Sequence, residues 1–151
     1  MRFKIENGSF IRALRGSVWL AGPALLLIAT PSAATEVTGR WQTTDGGVVQ
    51  IEPCGASVCG RIVSAPELDA HPDQTDVNNK NPTERTRFLR GLLILSGFHQ
   101  SGDTWSGGWI YDPHTGSTYK GSMEPLDGKT LKVTGCVMSP LCQSQTWTRD
   151  R

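Results

Sequence analysis

The sequence predicts an all-β protein, one eight-stranded antiparallel up-and-down barrel that follows an N-terminal export signal. Three observations carry this. Short segments rich in β-branched and aromatic residues recur along most of the chain, hairpin-type turn residues separate most of them, and no convincing amphipathic helix interrupts them.

The signal comes first. Arg2, Lys4, Arg12 and Arg15 precede an apolar run from Val18 to Ala29, and Ser32 and Ala34 supply the small residues of a peptidase site. Residues 1–34 therefore read as a signal peptide cleaved after Ala34, and residues 35–151 as a single barrel domain. A permanent membrane anchor is the competing reading. The apolar run is about a dozen residues and is broken by Gly22 and Pro23, short of the roughly 20 a spanning helix needs. The chain after the signal carries 11 basic and 13 acidic residues, a formal charge of −2, which argues against a nucleic-acid partner. It has no second stretch apolar enough to span a membrane, so a periplasmic or secreted protein is expected.

The strands are expected at approximately 39–44, 47–53, 58–65, 91–98, 104–111, 116–123, 129–136 and 143–149. Asp45-Gly46, His114-Thr115-Gly116 and Asp127-Gly128 mark hairpins, because each places Gly or Asp where the chain reverses tightly. Alternation puts Trp105, Gly107, Trp109 and Tyr111 on one face of a strand and Leu131 and Val133 on one face of another. Sequential strands on short links favour a meander, and eight can close into a barrel whose interior holds side chains or one small ligand. A two-sheet sandwich is the runner-up. One link is long, residues 66–90 with Pro66, Pro72 and Pro82, and loops of that length are often lids or binding loops.

The cysteines form two close pairs, Cys54 with Cys59 and Cys136 with Cys142. In an oxidising compartment both read as disulfides across short hairpin loops, each contributing about 2 kcal/mol on the loop-entropy argument. A four-thiolate zinc site is the rival, and four cysteines allow three connectivities.

Gly39-Arg40-Trp41 at the start of the meander and Gln145-Thr-Trp-Thr-Arg149 at its end resemble the calycins, which include the lipocalins. That resemblance implies an indole, Trp41, packed near the closed end of the barrel under the guanidinium of Arg149. The fuller pattern, CGASVCGRIV, D..N..NP..R.R...G, W.GG.IYDP..G..Y, L.V.G and Q.WTR, resembles the bacterial exported family called domain of unknown function 2147. It spans about Gly39 to Arg149. Gly39, Trp41, Gly60, Asp76, Asn81, Pro82, Arg85, Arg87, Gly91, Gly108, Tyr111, Asp112, Pro113, Gly116, Tyr119, Trp147 and Arg149 fall on its motifs. The resemblance implies a lipocalin-like barrel without an established activity, with Gly39, Trp41, Trp147 and Arg149 as structural residues.

The ligand-binding candidates are Asp76, Asn81, Arg85, Arg87, Trp109, Tyr111, Asp112 and Tyr119. Asp76, Asn78 and Asn81 can close Asx-turns. Arg85 and Arg87 can either pair with Asp76 and Asp112 to fasten the loop over the barrel mouth or take a carboxylate or phosphate head group bidentately. Trp105, Trp109, Tyr111 and Tyr119 either line a cavity or fill the core. Catalytic candidates are thin: His71, His99 and His114 lack metal-ligand spacing, Ser96 and Ser101 lack a nucleophile elbow, and Asp69, Asp73 and Asp76 lack the pattern of a calcium loop. No cofactor or metal is expected. The expected function is an exported barrel for a small, partly apolar ligand. A cell-envelope protein-interaction module with a filled barrel is the alternative, and an enzyme built on the Asp76 and Arg87 region ranks last.

Overall fold

The structure, a computed structural model, describes residues 37–151. The signal peptide expected over residues 1–34 lies outside the described residues. Eight antiparallel strands close into a barrel in sequence order: β1 (Gly39–Gln42), β2 (Val48–Cys54), β3 (Ser57–Ser64), β4 (Leu93–Ser101), β5 (Thr104–Asp112), β6 (Ser117–Asp127), β7 (Thr130–Met138) and β8 (Leu141–Arg149). Closure comes from β1 against β8, through Trp41 opposite Arg149 and Gln42 opposite Thr148. Because β1 is only four residues long, the first seven residues of β8, Leu141–Trp147, extend past it. No helix among the described residues is long and apolar enough to cross a membrane.

The closed end is sealed as the Gly-x-Trp pattern led us to expect. Trp41 is fully buried and donates its indole N–H to the Val37 carbonyl at 2.8 Å. The Arg149 guanidinium stacks 4.2 Å from the indole centroid while donating to the carbonyls of Thr38 (3.0 Å) and Gly128 (2.9 Å). Cation–π attraction and carbonyl capping thus act on one side chain. Gly39 is required beside it twice over. Its φ of +118° is a conformation other residues rarely adopt, and a Cβ there would stand 2.8 Å from Arg149 Nη1.

Above this seal the interior is packed. Val49, Ile51, Val58, Leu95, Phe98, Trp105, Met123, Leu131, Val133 and Trp147 are buried in one cluster. Phe98 is accommodated by glycines on neighbouring strands. Gly108 and Gly121 are register partners, and a Cβ on either would run into the Phe98 ring. Gly60 makes the same allowance for Leu95. Only the missing Cβ atoms let rings and branched side chains lie this close to the wall.

Strand β5 departs from simple alternation. Gly107 has φ +78°, and the β5–β6 register shifts between Ser106 and Gly108. This bulge adds one residue and reverses the side-chain parity beyond it. Trp105 points inward and is buried, whereas Trp109 is 47% exposed on the outer wall. The expectation that Trp105, Trp109 and Tyr111 share a face is therefore corrected: Trp105 fills the core, Ile110 takes the inward position, and Trp109 and Tyr111 face out.

Both cysteine pairs are at disulfide distance. Cys54–Cys59 ties the β2–β3 hairpin and Cys136–Cys142 the β7–β8 hairpin, with Cα–Cα separations of 5.8 and 4.0 Å. The long link between β3 and β4 contains a short helix, α1 (Pro66–Ala70), which buries Leu68, and a 3-10 turn at Pro82–Glu84. Pro66 suits the first turn of α1 because its missing N–H has no partner to lose there. Sequence periodicity could not reveal a helix of one turn.

Candidate functional site

The loop between β3 and β4 is organised around one buried carboxylate. Asp76 is 1% exposed and accepts three hydrogen bonds: Tyr111 donates its hydroxyl to Oδ1 at 2.7 Å, and Asn79 Nδ2 and Arg87 Nη2 both donate to Oδ2 at 2.8 Å. Asn79 also donates to the Tyr111 oxygen at 2.9 Å. Arg87 pairs on its other side with Glu84 and lies 5.7 Å from the Tyr111 ring centroid. Its Nε is buried without a hydrogen-bond partner among the described residues.

Burial pushes the Asp76 carboxyl up, but the hydrogen bonds from Arg87, Tyr111 and Asn79 outweigh it and hold the group below the usual carboxylate range. Arg87 is raised, first by its bond to Asp76. Tyr111 is pushed up to about 12, by burial and then by its bond to the Asp76 carboxylate. All three therefore keep their ordinary charge states at neutral pH, and the cluster acts as a clamp.

Asn81 caps the 3-10 turn, accepting from the Thr83 amide and hydroxyl, as expected of an Asx residue before proline. Arg85 Nε donates to the Asn79 carbonyl at 2.7 Å. The loop is fastened to the β5–β6 turn by Asn78 Nδ2 on the Pro113 carbonyl and Lys80 on the Ser117 hydroxyl. Gly116 is a notch for this contact, since a Cβ there would overlap the Asn78 carbonyl. Asp112 makes no part of the clamp. Its carboxylate accepts from the His114 amide and the Thr115 hydroxyl, both at 2.9 Å, so the expected pairing with an arginine gives way to closure of its own turn.

The sequence-derived candidates divide between two cavities formed by the described residues. The inner one, about 660 Å³, opens at the end of the barrel away from Trp41 and is lined only from β5 to β8. Ile110, Tyr119, Val133, Val137, Leu141 and Trp147 give it apolar walls, with Asp112, Gln143 and Gln145 as polar points. Gly135 lines it as well: a Cβ there would lie 3.4 Å from the Tyr119 Cβ, and further atoms would enter the open space. The outer one, about 570 Å³, lies between the loop and the outward residues of β4–β6, and Asn79, Asn81, Glu84, Arg87, Trp109 and Tyr111 are among its lining.

Asp112 and Tyr119 thus belong to the inner cavity, and Asn81, Arg87, Trp109 and Tyr111 to the outer cleft. Asp76 and Arg85 hold the loop from behind. The loop was expected over the mouth; its lining residues instead face the outer wall, because the Asp76 clamp and the Gly116 notch draw it there. Sequence reasoning missed Asn79, which is buried at the centre of the clamp, and Glu84. Nothing in Asn78-Asn79 told which amide would turn inward.

Among solved structures, the chain is similar to one described as "Protein HP1028 from the human pathogen Helicobacter pylori belongs to the lipocalin family", with a TM-score of 0.68 at 21% identity, over 76% of this chain and 82% of that one. At that identity the likeness speaks for the fold. Comparison with curated proteins found no match. Residues 39–149 match the family described as "Uncharacterized protein conserved in bacteria (DUF2147)", and the chain belongs to that family.

Proposed function

We propose that this protein is an exported binding barrel that holds a small, partly apolar ligand in the inner cavity. The observation that carries this is the cavity itself, about 660 Å³ of space above a packed floor, with mainly apolar walls and a few polar groups at defined points. Pockets of this size and character are typical of small-molecule sites. The lipocalin-like fold of a structural neighbour supports the reading. Asp112 and Tyr119 are the sequence-derived candidates in contact range of such a ligand, with Gln143 and Gln145 beside them. A head group would meet these residues and not Arg85 or Arg87. Two disulfide-bonded pairs support a periplasmic or secreted location. What speaks against a completely filled barrel is the open space bounded by Ile110, Tyr119, Val133, Gly135 and Trp147.

The test is native mass spectrometry and organic extraction of the purified protein, combined with titration of a fluorescent naphthylamine probe. We expect a co-purifying small molecule or saturable probe binding in the wild type, and loss of both in Gly135→Leu, whose side chain would occupy the cavity. Absence of any bound species and of probe binding in wild type would refute the proposal.

A further inference from the structure

The outer cleft is separate from the cavity used above, and its chemistry differs. Trp41, Trp105 and Trp147 are each at most 5% exposed, whereas Trp109 stands 47% exposed at the edge of the cleft. It is there because of the Gly107 bulge; unbroken alternation would have turned it into the barrel with Trp105. The residue types around it are mixed. Ser96 lies opposite it on β4, Thr118 lies nearby on β6, and the loop contributes Asn81, Glu84 and Arg87.

Those loop groups are fixed without any ligand. Arg87 is gripped between Asp76 and Glu84, Asn81 caps its turn, and the Asn78–Pro113 bond and the Gly116 notch seat the loop on the barrel. Preformed polar groups lose little freedom on binding, which is what a weakly apolar ligand needs in order to be held at all. The charges are also largely matched within the protein, since Arg87 answers Asp76 and Glu84. Arg87 is thus already taken by carboxylates, and Lys80, the other cation of the lining, donates to the Ser117 hydroxyl at 2.9 Å. The loop side of the cleft is polar, and its barrel side sets Leu93, Ile94, Trp109 and Tyr111 beside Ser96 and Thr118. An indole beside carboxylate, guanidinium, amide and hydroxyl groups matches a ring with an apolar C–H face and hydroxyls that both donate and accept.

From this geometry we propose that the outer cleft is a saccharide-binding site, with Trp109 as the stacking platform and Asn81, Glu84 and Arg87 as the hydroxyl-reading groups. It works independently of the inner cavity.

The experiment is saturation-transfer NMR and calorimetric titration of the folded protein with oligosaccharides built from glucose, mannose, galactose and N-acetylglucosamine. We expect at least one to bind in the micromolar to millimolar range. Trp109→Ala, an outward position whose folding is checked by circular dichroism, should weaken it by about tenfold or more, as truncation of an aromatic anchor does. Glu84→Gln provides a second variant with the same expected direction. Gly135→Leu should leave saccharide binding unchanged while abolishing probe binding in the inner cavity. Failure of the whole panel to bind, equal affinity in wild type and Trp109→Ala, or loss of saccharide binding in Gly135→Leu would each overturn the proposal. None of these results is the one that tests the inner cavity, so the two readings fail separately.

Discussion

Replacing Asp76 by Asn tests whether one buried charge seats the β3–β4 loop. The three groups around the carboxylate are all donors: the Tyr111 hydroxyl on Oδ1, and Asn79 and Arg87 on Oδ2. An amide best keeps its oxygen toward Asn79 and Arg87 and turns its NH2 to Tyr111, whose hydroxyl proton then loses its acceptor. The Arg87 bond also falls from charge-assisted to neutral. Together these changes cost about 1.5–3 kcal/mol, taking a charged hydrogen bond as roughly twice a neutral one and allowing for the part-exposed arginine. If the loop opens as a local unit, the amides of Asp76, Asn79 and Leu89, bonded to the carbonyls of Arg87, Asp76 and Gln74, should exchange about 10- to 150-fold faster. Barrel amides should be little changed. Hydrogen–deuterium exchange with site resolution reads both. The wild type should show the same loosening in acid, since a carboxylate held below its ordinary pKa contributes stability above about pH 4 that is lost as pH falls through the folded value. Asp76→Asn should lack that acid dependence. Wild-type protection of the loop in Asp76→Asn, or an equal loss throughout the barrel, would refute the account of a separately clamped loop.

Tyr111 provides a second handle. With its pKa raised to about 12 against about 10 in an unfolded chain, its contribution is present below about pH 10 and is lost as pH rises through about 12, so ultraviolet titration should show a late phenol that Tyr111→Phe removes. At the closed end, Gly39→Ala must adopt φ +118° and displace Arg149, and should lower urea-unfolding stability by about 2–4 kcal/mol. An unchanged midpoint would mean that the seal is dispensable. Replacing Cys136 and Cys142 together by Ser should cost about 2 kcal/mol in the same assay and widen the inner cavity's β7–β8 wall, seen as weaker probe binding. Retention of wild-type stability and probe affinity would count against that role.

Much of the barrel could be read from sequence because its determinants are local. Asp45-Gly46 and His114-Thr115-Gly116 fix their hairpins through positive φ at Gly46 and Gly116, and those turns pin the strands on either side. Close cysteine spacing needed only two hairpins to come true. Trp41 and Arg149 are far apart in sequence, but the strand-end motifs carrying them announced the pair. The loop was legible as unusual from its length and amides, and Arg87 with Asp76 was among the pairings considered. Which partner each charge would take depended on contacts that no spacing encodes: Asp112 had its own turn to close, and Asn79 was selected by the position of a tyrosine 32 residues later.

The alternation of β5 shows where a local rule fails for a local reason. Four alternate positions, Trp105, Gly107, Trp109 and Tyr111, read as one face, and the reading would hold if every residue of β5 had a partner on β6. The adjacent pair Gly107-Gly108 is what breaks it. Gly107 takes the positive φ of a bulge while Gly108 gives its place to the Phe98 ring, so the two glycines do different work. Adjacent glycines within a strand are a recognisable bulge signal, and reading them that way would have sent Trp109 and Tyr111 outward. The consequence extends beyond one strand. Tyr111 outside the barrel is what gives Asp76 its third donor, Asp76 is what holds Arg87, and Arg87 is one wall of the cleft that Trp109 borders. One inserted residue in β5 therefore decides which of its side chains line the inner cavity and which border the outer cleft.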